Sequence, residues 1–162
     1  MDRRTVLVSL ALAGTGALGA EAAPGSEAAN PVIAAFAKTL SDHDIDAFAA
    51  LFAEDYVNHQ VSAAAPPPQG VSAKQGSVGF FAARLKGLPD LSVAIEASVS
   101  NADMAAASFV YTGTHQGVYF GVAPTGKSLR FTSCDIFRIR DGKIVEHWGM
   151  GDIAGTLAQL KG

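Results

Sequence analysis

The sequence predicts an α+β fold: a cone-like curved antiparallel sheet wrapped around N-terminal helices, with an internal pocket between them. Three observations carry this expectation. Apolar residues recur at helical spacing before residue 90 and at alternate positions after it. The helix-type segments come first and the strand-type segments follow, the order of an α+β rather than an alternating α/β protein. Asp141-Gly142 sits between two alternating apolar runs, and a type I′ hairpin turn needs positive φ at both central residues.

The elements follow in order. Residues 1–22 read as an export signal of the twin-arginine type: Arg3-Arg4-Thr5-Val6-Leu7, an apolar run from Val8 to Ala20, and Ala20-Glu21-Ala22 as a small-x-small cleavage site. Residues 23–29 form a linker and 30–162 the folded domain, which places the mature protein in the periplasm or outside the cell. Asn30-Pro31 is a helix cap followed by proline at the first helical position, and Val32, Ile33, Phe36 and Leu40 supply its apolar stripe. A second helix carries Ile45, Phe48, Leu51 and Phe52. Ser62 to Gly70 contains three prolines and is a loop bordering an opening. Ser72 and Gln75 make a capping box for a third helix. Leu91 to Val99 and Met104 to His115 are strands, Gln116 to Lys127 is a long loop, and the Asp141-Gly142 hairpin supplies the third and fourth strands. A short helix with Ile153, Leu157 and Leu160 closes the chain.

Bulk composition narrows the function. A chain of 162 residues, 49% hydrophobic and 17% charged, is one globular domain. A net charge of −3 with scattered cations excludes a nucleic-acid binder, which needs a basic patch. Cys134, the one cysteine, has no disulfide partner in the chain and reads as a buried structural thiol. The four histidines lack zinc-site spacing, and no Gly-rich nucleotide loop or G-x-S-x-G elbow occurs. Neither a metal nor a cofactor is expected. What remains is proton chemistry or simple binding of a small apolar or carbonyl-containing molecule.

With Asp141 and Gly142 as the loop, Arg140 faces Lys143, Phe137 faces Glu146 and Asp135 faces Trp148. Alternation then gathers Phe131, Asp135, Phe137, Ile139, Ile144, Glu146 and Trp148 on one face and sends Ile136, Val145 and His147 to the other. A carboxylate among Phe, Ile and Trp is poorly solvated, so Asp135 is the candidate general base, raised toward the working pH by desolvation. Glu146, diagonally offset, would raise one of the two carboxyls further. A β-bulge near either residue would reverse the faces. His115, ending a strand on the face of Phe109 and Tyr111, is the candidate partner that steadies a developing enolate or relays a proton. Phe131, Trp148, Tyr56, Asn58 and His59 are the candidate substrate-binding residues. His147 is assigned a structural role, and the Ile136, Val145, His147 face is a candidate homodimer surface.

Gly113-Thr-His115-Gln-Gly117, Gly121-Val-Ala-Pro124-Thr-Gly-Lys127, Asp135-Ile-Phe-Arg138 and Asp141-Gly-Lys-Ile-Val-Glu146-His-Trp148, with Tyr56-Val-Asn58-His59, resemble the SnoaL-like polyketide cyclase (ester cyclase) family. The resemblance spans Asn30 to the C-terminus. It implies a cone of the nuclear-transport-factor-2-like kind and a cofactor-free aldol ring closure with an acidic residue as acid/base. That role falls on Asp135, with His115 as its polar partner. Export departs from the intracellular setting of polyketide synthesis. The expected function is therefore an exported small-molecule enzyme of cyclase or isomerase type. A non-catalytic periplasmic binder of a small apolar ligand is the alternative. An epoxide hydrolase-like activity ranks third, because it needs an Asp-Arg-Asp arrangement and Arg138 faces away from Asp135.

Overall fold

The computed structural model describes residues 29–60, 63 and 66–162. The proposed export signal and nearly all of the linker lie outside them. Among the described residues the order is α1 (Pro31–Ser41), α2 (Ile45–Ala50), β1 (Phe52–Asn58), α3 (Ala73–Gly87), β2 (Ser92–Ser100), β3 (Met104–Thr114), β4 (Ser128–Arg140), β5 (Lys143–Gly151) and α4 (Ile153–Lys161). The five strands form one curved, open sheet ordered β1-β5-β4-β3-β2.

The helix starts are written in the local sequence. The Asn30 side chain accepts from the Val32 amide with Pro31 at the first position, and Ser72 and Gln75 close a reciprocal capping box on α3. Asp141 and Gly142 both take positive φ, 53° and 71°, as the type I′ turn requires. Helices α1 to α3 pack into the concave face of the sheet. Phe36 sits at the centre, its ring centroid 5.0 Å from Phe48 and Phe109, 5.3 Å from Phe137 and 5.4 Å from Phe81. Removing such a ring from water contributes roughly 1.5–3 kcal/mol.

The strand count corrects the sequence expectation. The second helix stops at Ala50, and Phe52 begins a fifth strand, β1, which runs parallel to β5. The sheet is thus mixed. Phe52 and Tyr56 are the buried residues of β1, with a register irregularity between Phe52 and Val57. An inward spacing of four residues mimics a helix stripe, and the exposed Glu54-Asp55 pair carries no strand signal. Cys134 lies exposed rather than buried. Val145 and His147 are buried, so the candidate homodimer face keeps only Ile136, 44% exposed, of its three residues.

Register shifts interrupt β2 between Ile95 and Ala97 and the β4–β5 ladder between Arg138 and Ile139. Bulges bend the strand that carries them and increase its twist, which suits the curvature of a sheet that must wrap helices. The second of these shifts decides the composition of the site.

Candidate active site

Next to the turn, the β4–β5 register is the expected one: Arg140 pairs with Lys143 and Ile139 with Ile144. Val145 is then an extra residue. Arg138 pairs with Glu146, Phe137 with His147, Ile136 with Trp148 and Asp135 with Gly149. One inserted residue exchanges the faces of everything beyond it. His147 enters the concave side and Glu146 and Trp148 leave it, which corrects their expected positions.

Asp135 is 5% exposed and accepts two hydrogen bonds, from His147 Nε2 to Oδ1 at 2.8 Å and from Ser133 Oγ to Oδ2. The His147 ring stacks on Phe137 at 4.9 Å and 15°, fixing its plane. Its Nδ1 lies 3.1 Å from Tyr56 Oη, which is also 3.1 Å from Ser77 Oγ. Asn58 Nδ2 donates to Ser77 Oγ at 3.3 Å. Burial, eased by the Ser77 hydrogen bond and reinforced by the Asp135 charge, pushes the Tyr56 phenol up to about 12. Tyr56 therefore keeps its proton and donates it to His147 Nδ1, which leaves the Nε2 proton on the Asp135 side. The result is one directed chain: Asn58, Ser77, Tyr56, His147, Asp135.

On its other side Asp135 connects through Ser133 to Tyr111, whose Oη is 3.3 Å from Ser133 Oγ. Since a hydroxyl has one proton to give and Ser133 spends it on Asp135, Tyr111 donates to Ser133. Burial, opposed by the Arg84 charge, also raises the Tyr111 phenol. Arg84, 4% exposed on α3, sits below Tyr111 and donates from Nε to Tyr119 Oη at 3.0 Å. Burial disfavours its cation, but Tyr119, Tyr111 and Asp135 more than offset this and hold its pKa above the ordinary value.

These groups meet a cavity of about 350 Å³ between α3 and the sheet. Asp135, His147, Ser133, Tyr111, Arg84, Ser77 and Asn58 form its polar wall, and Phe80, Phe81, Val71, Met150 and Ile153 its apolar one. Pro67, from the Pro-rich loop, borders it as expected for a loop at an opening. Volume and lining suit a small, mostly apolar molecule with a few polar groups.

The other sequence candidates lie apart. His115 is fully buried, but it lies one residue past the end of β3 and eight residues from Ala107, the cross-strand partner of Asp135. At about 3.3 Å per residue the two are roughly 26 Å apart along the strand. Its Nδ1 bonds the Thr125 hydroxyl at 2.9 Å. Phe131 is buried with its ring stacked on Tyr111 at 5.1 Å, supporting the wall from behind. His59 stacks on Trp148 at 4.4 Å on the outer face, and its Nε2 bonds Glu146 at 2.7 Å. Arg138 bonds Glu146 at 2.8 Å and Asp103 at 2.7 Å. His59 first, then Arg138, lower the Glu146 carboxyl, opposite to the expected coupling with Asp135.

The sequence reading missed His147, Ser133, Ser77, Tyr111 and Arg84. One signal for His147 was present: Ile144-Val145 are two adjacent apolar residues in a strand that otherwise alternates, a pattern that a bulge accommodates.

The comparisons with known proteins agree with this architecture. The sequence model of the SnoaL-like polyketide cyclase family matches residues 31–160. The chain belongs to that family. Among solved structures it is similar to IdmH of Streptomyces antibioticus, described as a proposed polyketide cyclase, with 31% identity and a TM-score of 0.68 over 81% of this chain and 96% of that one. It is similar as well to AclR of Streptomyces galilaeus, described as a proposed hydroxylase, with 25% identity and a TM-score of 0.69 over 80% and 92%. A Catenulispora acidiphila protein with a ketosteroid isomerase-like fold shares the architecture at 18% identity and a TM-score of 0.65, covering 82% and 94%. No curated protein sequence matches. The fold of this SnoaL-like chain is the nuclear-transport-factor-2-like cone. No helix among its described residues is long and apolar enough to cross a membrane.

Proposed function

We propose that this SnoaL-like protein is a cofactor-free acid/base enzyme that enolises a small, mostly apolar carbonyl compound in the α3–sheet cavity, as a cyclase or an isomerase does. The observation that carries the proposal is Asp135: a carboxylate on the cavity wall, buried, and held at both oxygens by His147 and Ser133. Each carboxylate oxygen retains a lone pair beyond the one its donor occupies. Asp135 takes the proton α to the carbonyl, and the C–H pair moves into the new C=C bond while the carbonyl π pair moves to oxygen. The enolate carbon then either attacks a second carbonyl of the same molecule, closing a ring whose new alkoxide takes the proton back from Asp135, or is reprotonated at another carbon by the acid form of Asp135.

His147 orients Asp135 and passes its hydrogen-bond demand to Tyr56 and Ser77. An Asp-Arg-Asp water-activating site has less support, because Arg138 pairs with Glu146 and Asp103, and Asp135 is the one carboxylate among the described residues of the cavity wall. The N-terminal signal motif supports export to the periplasm or beyond as part of the same proposal. The direct test is protein-catalysed α-proton exchange in D2O across a panel of cyclic ketones and ketoesters, followed by NMR. Exchange that depends on Asp135 supports the reading. Ligand recovered unchanged, with no exchange for any carbonyl compound that binds, would make the cavity a binding site only.

A further inference from the structure

The acid/base chain leaves one charged group of the cavity unused. Arg84 lines the wall, is 4% exposed and forms no ion pair with any described carboxylate. Its guanidinium carbon lies 4.5 Å from the Tyr111 ring centroid, 4.8 Å from Phe81, 5.0 Å from Phe80 and 5.1 Å from Phe131. Nε has Tyr119 as its acceptor, whereas Nη1 is buried with no hydrogen-bond partner. Aromatic faces offset part of the cost of burying the cation, but an orphaned N–H in such a setting keeps an unmet demand for an acceptor. Thr, Ser or Asn near Nη1 would have met it within the protein. Arg84 shares the cavity wall with Asp135, and its unmet demand points to an acceptor brought to the guanidinium by the substrate.

We propose that Arg84 is a catalytic residue that binds the substrate oxygen on which charge develops. The proposal rests on the enolising role of Asp135. Proton removal neutralises Asp135 and places one negative charge on the enolate oxygen, so the charge of the cavity is conserved and only its location changes. Arg84 is already dehydrated and held by four rings and Tyr119, so it meets that charge without reorganising. At rest Arg84 and Asp135 are opposite charges of one cavity wall, separated by the Tyr111 ring and Ser133. The reacting site pairs Arg84 with the enolate.

The probe is cyclohexane-1,3-dione, a cyclic enolate at pH 8, compared with uncharged cyclohexanone by calorimetric titration of the full domain. In an Asp135→Asn background, which is neutral at that position as the reacting site is, the protein is expected to bind the enolate tighter than the ketone by about tenfold or more, the scale of a charge-assisted hydrogen bond. Arg84→Met is expected to lose that preference and Arg84→Lys to keep part of it, with circular dichroism confirming that each variant folds. An Asp135→Asn protein without the preference overturns the proposal, whether or not the Met variant folds. So does an Arg84→Met variant that retains it. The exchange assay separates the two claims, since the Asp135→Asn protein is expected to bind the enolate while losing the α-proton exchange that the wild-type protein catalyses. Enolate preference that needs Arg84, with no exchange catalysed by the wild-type protein, would remove the enolising role and leave the oxygen site standing. Exchange without the preference would do the reverse.

Discussion

Replacing Asp135 by Asn tests the site most directly, because the change removes a charge and a basic oxygen while keeping shape. Its cost to folding follows from the network. Two charge-assisted hydrogen bonds, from His147 and Ser133, become neutral ones, a loss of roughly 1–1.5 kcal/mol each. Against this stands the relief of no longer burying a carboxylate. The network can also adapt. The Asn oxygen accepts from His147 and its NH2 donates to Ser133 Oγ, which leaves one proton of the Ser133–Tyr111 pair to turn toward the cavity that both line. The net change in stability is thus within about 2 kcal/mol, and the protein stays folded. Loss of the base costs far more in rate, about 10²–10⁴-fold in α-proton exchange at saturating ligand. The assay is the NMR exchange rate in D2O for a ketone that the wild-type protein turns over, with urea melts run in parallel. An Asn variant that exchanges within about threefold of wild type, while melting as a folded protein, would refute the assignment of Asp135 as base.

Three further changes probe the surroundings. A Cβ at Gly149 meets Asp135 Oδ1 at 2.5 Å and His147 Nε2 at 2.6 Å, so Gly149→Ala wedges the pair apart. It should cut exchange by about 100-fold for a stability loss of about 1–3 kcal/mol, read by the same two assays. Glu146→Gln acts on the outer face, where Glu146 bonds His59 and Arg138. The pH profile of exchange should not move, whereas a shifted profile would mean that Glu146 couples to Asp135. The Asp90 carboxyl is lowered first by the Thr114 amide, 2.6 Å away, and then by its hydroxyl at 2.7 Å. A depressed folded-state pKa contributes stability above the unfolded value and loses it as pH falls through the folded one. Urea midpoints should therefore separate wild type from Asp90→Asn at pH 7, and the gap should close below about pH 4.

Much of the fold was legible because its signals are local. Asn30-Pro31, Ser72 with Gln75, and Asp141-Gly142 each act on backbone groups within four residues, and the structure uses all three as the chemistry dictates. Strand β1 was hidden because its inward pair, Phe52 and Tyr56, sits at a helix-like spacing. The position of Asp135 on the concave face was also legible, since a single strand alternates reliably up to the turn. Its partners were not. Ser77 and Arg84 reach the site from α3, and no short-range pattern states which turn of a helix meets which strand. His147 was lost to a single residue of register.

That residue has an energetic cause. In a regular hairpin, Glu146 and Trp148 would face inward and Glu146 would lie beside Asp135, two carboxylates sharing an apolar wall. Neither ion could keep its charge cheaply there, since burying unpaired charge costs several kcal/mol per group. With Val145 bulged, Glu146 instead reaches Arg138 and His59 outside, and Ile144 and Val145 are both buried. The inward position passes to His147, which can donate to Asp135 while accepting from Tyr56. The bulge sacrifices one ladder pairing, about 1 kcal/mol of net hydrogen bonding, and avoids a larger electrostatic penalty. The same step that relieves the repulsion assembles the Asp135–His147 pair, so the stability of the hairpin and the chemistry of the cavity select one register.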